Sequence, residues 1–284
     1  MAGPRSDPAL DALGTFLATQ ALPVYVTLLI AFAVLELVLA QPGRSVPSPS
    51  GRYVVNFGLP MIGALLAMVL PLGSAGAALL AGAKGWGLFN NVDAPALAVL
   101  GAALIARTLL AYWLHRAMHA VPVLWRIHRI HHTDPALDIS TSLRHHPLEL
   151  IVGVLPALAL IIALGLPLWA TLLVDALMLA GSFLKHLDID LPPRIERVLG
   201  RVLATPANHR FHHSDKVAET DSNFGNLVII WDTLFGTYTD PRGTRPARLG
   251  LGDRYDAGAH DLWQQLQIGV IEPRAPVTRP TGDR

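Results

Sequence analysis

The sequence predicts an all-α integral membrane bundle of about five spans with a helical cap on one side, and three observations carry that expectation. Of its 284 residues 52% are hydrophobic and only 15% charged, with a mean hydropathy of +0.42, more apolar surface than one soluble core of this length needs. The apolar residues fall in runs that suit helices crossing about 30 Å of hydrocarbon. Eight of the twelve histidines crowd into three short clusters outside the middle of those runs.

Taken in order, residues 1–17 read as an N-terminal tail, and the first run covers 18–40. That run begins too late for a secretory leader and has no small-residue cleavage site, so it reads as a retained helix. Further runs cover 54–82 and 94–114, and a double-length run over 147–185 is divided at Gly165-Leu166-Pro167 into an apolar hairpin. At about 20 residues per crossing these make five spans within a membrane-embedded domain over 18–240. Residues 241–284 read as a C-terminal tail with one short helix around Asp261 to Ile271. A net charge of +1 leaves no polybasic field for nucleic acid, so no nucleic-acid partner is expected. The absence of cysteine excludes disulfides, thiolate nucleophiles, iron-sulfur clusters and cysteine-bound zinc.

The clusters are HRAMH at 115–119, HRIHH at 128–132 and HRFHH at 209–213. Spacings of three and four residues put imidazoles on one face of a helix. Together they offer eight nitrogen ligands: His115, His119, His128, His131, His132, His209, His212 and His213. One ion takes about four, so eight imply two metals. The first cluster ends the third span, the second lies in the polar stretch beyond it, and the third comes after the fifth span. The intervening hairpin therefore returns all three to one side. That side also carries Arg44, Arg52, Arg116, Arg126, Arg129, Arg144, Arg194, Arg197 and Arg201, against Arg5 and Lys84 opposite, which predicts a cytoplasmic metal side and an external N-terminus.

YWLHRAMH, LWRIHRIHHTD, RHHPLE and TPANHRFHHS, with DSNFGNLVIIWDTLFGTY after them, resemble the fatty acid hydroxylase and sterol desaturase superfamily of membrane non-haem diiron enzymes over roughly 95–240. The resemblance implies two iron ions, which zinc can replace in a purified sample. It implies an oxidoreductase that uses dioxygen to hydroxylate a C–H bond of a lipid within the bilayer. Desaturation at the same site is the alternative. It also implies a separate electron donor, a ferredoxin or a cytochrome b5-type protein with its reductase, since the chain carries no dinucleotide fingerprint of its own. The eight histidines carry over as ligands, catalytic residues beyond the metal centre stay unassigned, and a bacterial inner membrane is the expected location. His186, in FLKHLDIDLPP, matches a position where relatives hold another ligand or an Asn; its other reading is a helix-end cation beside Asp188 and Asp190. His146 in RHHPLE reads as a weak or indirect ligand.

Asp134, Asp138, Glu149, Asp188, Asp215 and Asp221 are the acids available to accept an imidazole N–H. A non-enzymatic metal or haem protein is the reading from another class, but haem needs only two axial ligands. Tyr112, Trp113 and Trp125 suit an interfacial belt, with stacking on substrate as the other reading; His260 reads as a surface residue, and the WDTLFGTY run reads as packing for the cap, or with Trp231 and Phe235 as the border of the substrate entry. Glu36, Arg107 and Asp175 lie inside apolar runs, where a charge needs a partner. Arg107 lies about 12 Å below His115 and Asp175 about 16 Å below His186, similar depths that predict an interhelical ion pair, with a polar anchor beside a substrate tunnel as the other reading.

Overall fold

A computed structural model describes residues 7–40, 51–69, 73–241, 244–252 and 258–271. Arg5, Arg44 and the last residues of the chain lie outside them. Among the described residues there is no β-strand, only isolated bridges joining Leu203 to Val228 and Ser214 to Leu249.

Helix α1 (Pro8–Thr19) starts on Asp7, whose carboxylate accepts the Ala9 N–H, and α2 (Ala21–Leu39) continues almost directly. Both lie along α8 (Leu168–His186). Gly14 brings α1 so near that a Cβ there would stand 2.9 Å from the Trp169 nitrogen, and Tyr25 and Phe32 of α2 meet the Phe183 ring edge-on. Residues 8–17, expected in a tail, are thus part of the bundle. The α2 window has a mean hydropathy of 2.4 and none of it is buried, so the apolar face it turns away from the bundle suits lipid.

The expected span over 54–82 is two helices, α3 (Arg52–Val69) and α4 (Ser74–Lys84). Pro71, with no N–H to give a helix, and Gly73 separate them in the sequence. Helices long and apolar enough to cross a membrane therefore number four among the described residues, not five: α2, α5 (Ala96–Ala120), α7 (Pro147–Leu164) and α8 (Leu168–His186). Gly165, at φ 60, closes the α7–α8 hairpin. A Cβ there would lie 2.6 Å from the Trp86 carbonyl oxygen, so glycine is required both for the left-handed turn and for the close approach.

From that far end α5 and α8 rise side by side. Arg107 of α5 donates to Asp175 of α8 at 2.6 Å, the expected pair. Glu36 lies higher, where its carboxylate accepts the backbone N–H groups of Asp188 and Ile139. The charge is satisfied at the end of the bundle, not in its middle.

The cap comprises α6 (Pro122–His132), α9 (Pro193–Leu199), α10 (Pro206–His212), α11 (Val217–Thr220), α12 (Ile230–Leu234) and α13 (Leu262–Ile268). Its polar interior begins at Arg52, which donates to Asp134, Asp138, Thr141 and the Ala136 carbonyl. Arg144 donates to Asn56 and to the carbonyls of Ile130 and Ala259. Helix α13, expected in the tail, packs Leu262, Leu266 and Ile268 on Val55, Leu59 and Ile130. Arg52, Arg129 and Arg144 are fully buried in this framework, so they are structural members and not free loop charges.

Candidate metal centre

All three histidine clusters and His186 meet where the cap rests on the bundle. Helix α5 brings His115 and His119 at its C-terminal end, α6 brings His128, His131 and His132, α8 ends on His186, and α10 with the residue after it brings His209, His212 and His213. Two groups result. His115, His119, His128, His132 and His212 form one; His131, His186, His209 and His213 form the other.

The second group is a closed ring of Nε2 atoms: His131 to His186 3.1 Å, His186 to His209 2.9 Å, His209 to His213 3.1 Å and His213 to His131 3.0 Å. In the first, Nε2 of His212 and His115 stand 3.0 Å apart. Tautomers decide what these short distances mean. Nδ1 of His115 meets the Phe224 carbonyl at 2.7 Å, that of His212 the Ser222 carbonyl at 2.7 Å, that of His186 the Ser182 carbonyl at 2.6 Å and that of His131 the Arg144 carbonyl at 3.3 Å. A carbonyl can only accept, so each Nδ1 carries the proton and each Nε2 is a bare lone pair.

The lone pairs of His115 and His212, and of His131 and His186, therefore face each other with no proton to share. They repel unless a cation lies between them. Two nitrogens each about 2.1 Å from one ion and at right angles to it are about 3 Å apart, so the spacing fits a bound metal. His119 and His128 point Nε2 into the first group with no hydrogen-bond partner, and His132 leaves both ring nitrogens unbonded. Burial first, and then neighbouring positive groups, hold His131, His132, His209, His212 and His213 well below the usual histidine range. They are neutral near pH 7, as ligation requires.

Of the acids offered by the sequence, two reach the imidazoles. Nδ1 of His128 lies 2.9 Å from Glu149, and Nδ1 of His119 lies 3.1 Å from Asp221. Asp134 and Asp138 serve Arg52, Asp188 serves Arg210 and Arg245, and the Asp215 backbone joins Arg248. His146 is not brought to the centre. It caps α7 by accepting the Leu148 N–H at Nδ1, and Nε2 meets the Leu266 carbonyl. His145, by contrast, stacks on His131 with ring centroids 4.6 Å apart and shares Glu149 with His128.

Asp232 of the WDTLFGTY run accepts the N–H groups of Phe224 and Gly225 and the Thr237 hydroxyl. It thereby fixes the loop whose Phe224 carbonyl orients His115. Burial pushes its carboxyl up to about 6 despite those bonds. Tyr112 is not in an interfacial belt: it is fully buried, bonded to Thr237 and stacked on Phe235. Trp125 lies against His119 and His132, while Trp113 keeps an exposed face. His260 is half-buried and belongs to neither group.

A cavity of about 290 Å³ opens between α5, α7 and α8 directly against the centre, touching His115 and His128 of one group and His131 and His186 of the other.

Residues 100–237 match the family described as Fatty acid hydroxylase. The chain is 31% identical to ornithine lipid hydroxylase OlsE of Rhizobium tropici over 50% of its own length and 41% of that protein's. It is 31% identical to human alkylglycerol monooxygenase over 45% of its length and 27% of the relative's, and 33% identical to the fatty acid hydroxylase vlmA of Lecanicillium over 50% and 42%. The chain thus covers under half the length of these relatives. No solved structure matches it significantly.

Proposed function

This chain belongs, through residues 100–237, to the fatty acid hydroxylase and sterol desaturase superfamily, and on that premise we propose that it is a membrane-bound lipid hydroxylase dependent on dioxygen and external electrons. The balanced reaction is R–H + O2 + 2 electrons + 2 H+ → R–OH + H2O. His115, His119, His128, His132 and His212 hold one iron, and His131, His186, His209 and His213 the other. The metal pair supplies the redox chemistry that activates dioxygen.

The observation that carries this reading is the convergence of imidazole nitrogens on two centres, with Nε2 of His115, His212, His131 and His186 left bare, beside a cavity that opens among the spans. Backbone carbonyls hold the Nδ1 protons outward, and Glu149 and Asp221 do the same for His128 and His119. Leu110, Leu114, Met118 and Ala157 wall the cavity with apolar surface, keeping bulk water from the reacting carbon while admitting a hydrocarbon chain. The electron carrier docks on the cap, where Arg194, Arg197 and Arg201 are exposed and suit an acidic protein of the ferredoxin or cytochrome b5 type. These same arginines support a cytoplasmic cap. A topology reporter in the loop after Lys84 that reads cytoplasmic reverses that orientation.

Metal analysis of the purified protein, with an optical spectrum, is expected to give two irons per chain and no haem band. Mass spectrometry of lipids from cells with and without the protein is expected to show a gain of about 16 mass units, the mass of the inserted oxygen in the balanced reaction. Lipids unchanged in a cell with a functional reductase sink the reading, and a loss of about two units replaces hydroxylation with desaturation at the same site.

A further inference from the structure

Lys185 stands one residue before His186 on α8, is 5% exposed, and lines the cavity beside the metal centre. It makes no hydrogen bond or close ion pair with any described residue. Asp232 and Glu149 act on it only through space, and both are occupied: Asp232 by Phe224, Gly225 and Thr237, Glu149 by His128 and His145. Arg107, the other cation lining the cavity, is matched by Asp175. A buried amine without a partner is unfavourable unless what fills the cavity supplies the acceptor. The surroundings demand the same thing. Glu149 is the one carboxylate among the described residues lining the cavity, and it is held by His128 and His145, so no free acceptor there faces Lys185.

We propose that Lys185 is the polar anchor of the substrate, donating a hydrogen bond to an acyl oxygen of the lipid, either a free carboxylate or an ester carbonyl. The inference rests on the lipid-hydroxylase reading and deepens it. The oxygen sits at Lys185, with Ser182 and Asn226 among the other polar residues lining the same cavity. The chain runs toward Leu110 and Ala157. Because Lys185 adjoins His186, the carbon presented to the metals lies within a few bonds of that oxygen. Oxidation falls near the polar end of the chain, not at its middle or its methyl end. The volume agrees: 290 Å³ is at the lower limit of the roughly 300–1,000 Å³ of small-molecule sites, room for the end of one chain.

The test is equilibrium binding of dodecanoate, methyl dodecanoate and dodecane to the purified full-length protein in detergent, for the native chain and for Lys185→Met, Lys185→Gln and Lys185→Arg. The native protein is expected to bind both oxygenated probes roughly tenfold or more tighter than dodecane. The carboxylate and ester arms separate a free acid from an esterified lipid as the source of the oxygen. Lys185→Met is expected to bind all three alike with unchanged metal content, and Lys185→Arg to keep the preference. Should the Met variant fail to fold, Lys185→Gln decides: its uncharged amide still donates to the ester carbonyl, so it is expected to keep a preference for methyl dodecanoate over dodecane and to lose most of that for dodecanoate, and an undiminished dodecanoate preference overturns the anchor. No preference in the native protein, or an undiminished preference in the Met variant, overturns the anchor. Fragmentation of the lipid product locates the new oxygen independently. Oxidised lipid with mid-chain oxygen leaves the hydroxylase reading standing and removes the anchor; an intact oxygen preference with no oxidised lipid does the reverse.

Discussion

The two histidine groups are alike in spacing and differ in what stands behind them. In the five-histidine group two imidazoles lean on carboxylates, His128 on Glu149 and His119 on Asp221, and two on carbonyls of the loop at Ser222 and Phe224. In the four-histidine group His131 and His186 lean on carbonyls alone, while Nδ1 of His209 and of His213 has no partner. A carbonyl fixes the direction of a ring. A carboxylate fixes its direction, raises its basicity and returns negative charge to a centre that otherwise has none. The lesson is that two groups built alike from imidazoles are electrically unequal, and the carboxylate-backed one is expected to hold a cation the more tightly.

The largest expected effect comes from deleting a ligand in each group. His212→Ala and His131→Ala are each expected to lower the metal content from two ions to about one and to abolish turnover, because a tight set that loses one member loses much of its affinity. Full metal in either variant breaks the division into two groups. Next comes Glu149→Gln, which is expected to weaken the five-histidine site roughly 10–100-fold in a chelator competition and to leave the other nearly unchanged. Asp221→Asn acts on the same site more weakly, because that carboxylate is 54% exposed and already shared with water. Equal weakening of both sites by Glu149→Gln contradicts the electrical inequality.

Acid sharpens the comparison in the metal-free protein. The imidazoles of His131, His132, His209, His212 and His213 have folded pKa values below the unfolded value of about 6.5. Below that pH the unfolded chain takes up protons that the folded chain refuses. Stability from these groups is therefore complete above about pH 6.5 and declines as the pH falls, by at most about 1.4 kcal/mol per pH unit for each group. Melting of the metal-free protein in detergent is expected to fall between pH 7.5 and 5.5, with the metal-loaded protein resisting longer. A flat profile means the buried imidazoles find protons when folded.

A smaller effect lies away from both groups. The pair Arg107–Asp175 is 14% and 28% exposed, so either change to Ala is expected to destabilise by about 2 kcal/mol, less than a fully buried pair. A double apolar replacement is expected to recover most of the loss, and thermal stabilities of the two singles and the double, read as a cycle, decide it. Additive losses mean the charges act separately. His260→Ala, outside both groups, is expected to leave metal content and turnover unchanged.

The eight clustered histidines were legible because helical periodicity is local: residues three and four apart share a face whatever the rest of the chain does. His186 was legible as a histidine at a helix end, though its ring in the four-histidine group depends on where α8 stops relative to α6 and α10. The orienting carbonyls of Arg144, Ser182, Ser222 and Phe224 left no signal, since a carbonyl belongs to every residue. His145 and His146 show the same limit, as adjacent histidines sent by one helix start to opposite tasks, one to Glu149 and one to a cap. The break between α3 and α4 was readable at Pro71 and Gly73 and was outweighed by the apolar run around them.

Composition and short-range periodicity, which belong to the sequence by itself, determined an all-helical membrane protein, two metals' worth of imidazole, and a hairpin that returns the last cluster to the side of the first. Only the tertiary structure decided how nine rings divide into two groups, which acids stand behind them, that α13 is built into the cap, and that Lys185 faces the cavity without a partner. These are relations between residues tens of positions apart. Their distances are set by how helices pack and where loops cross, and packing is a property of the whole chain that no local pattern encodes.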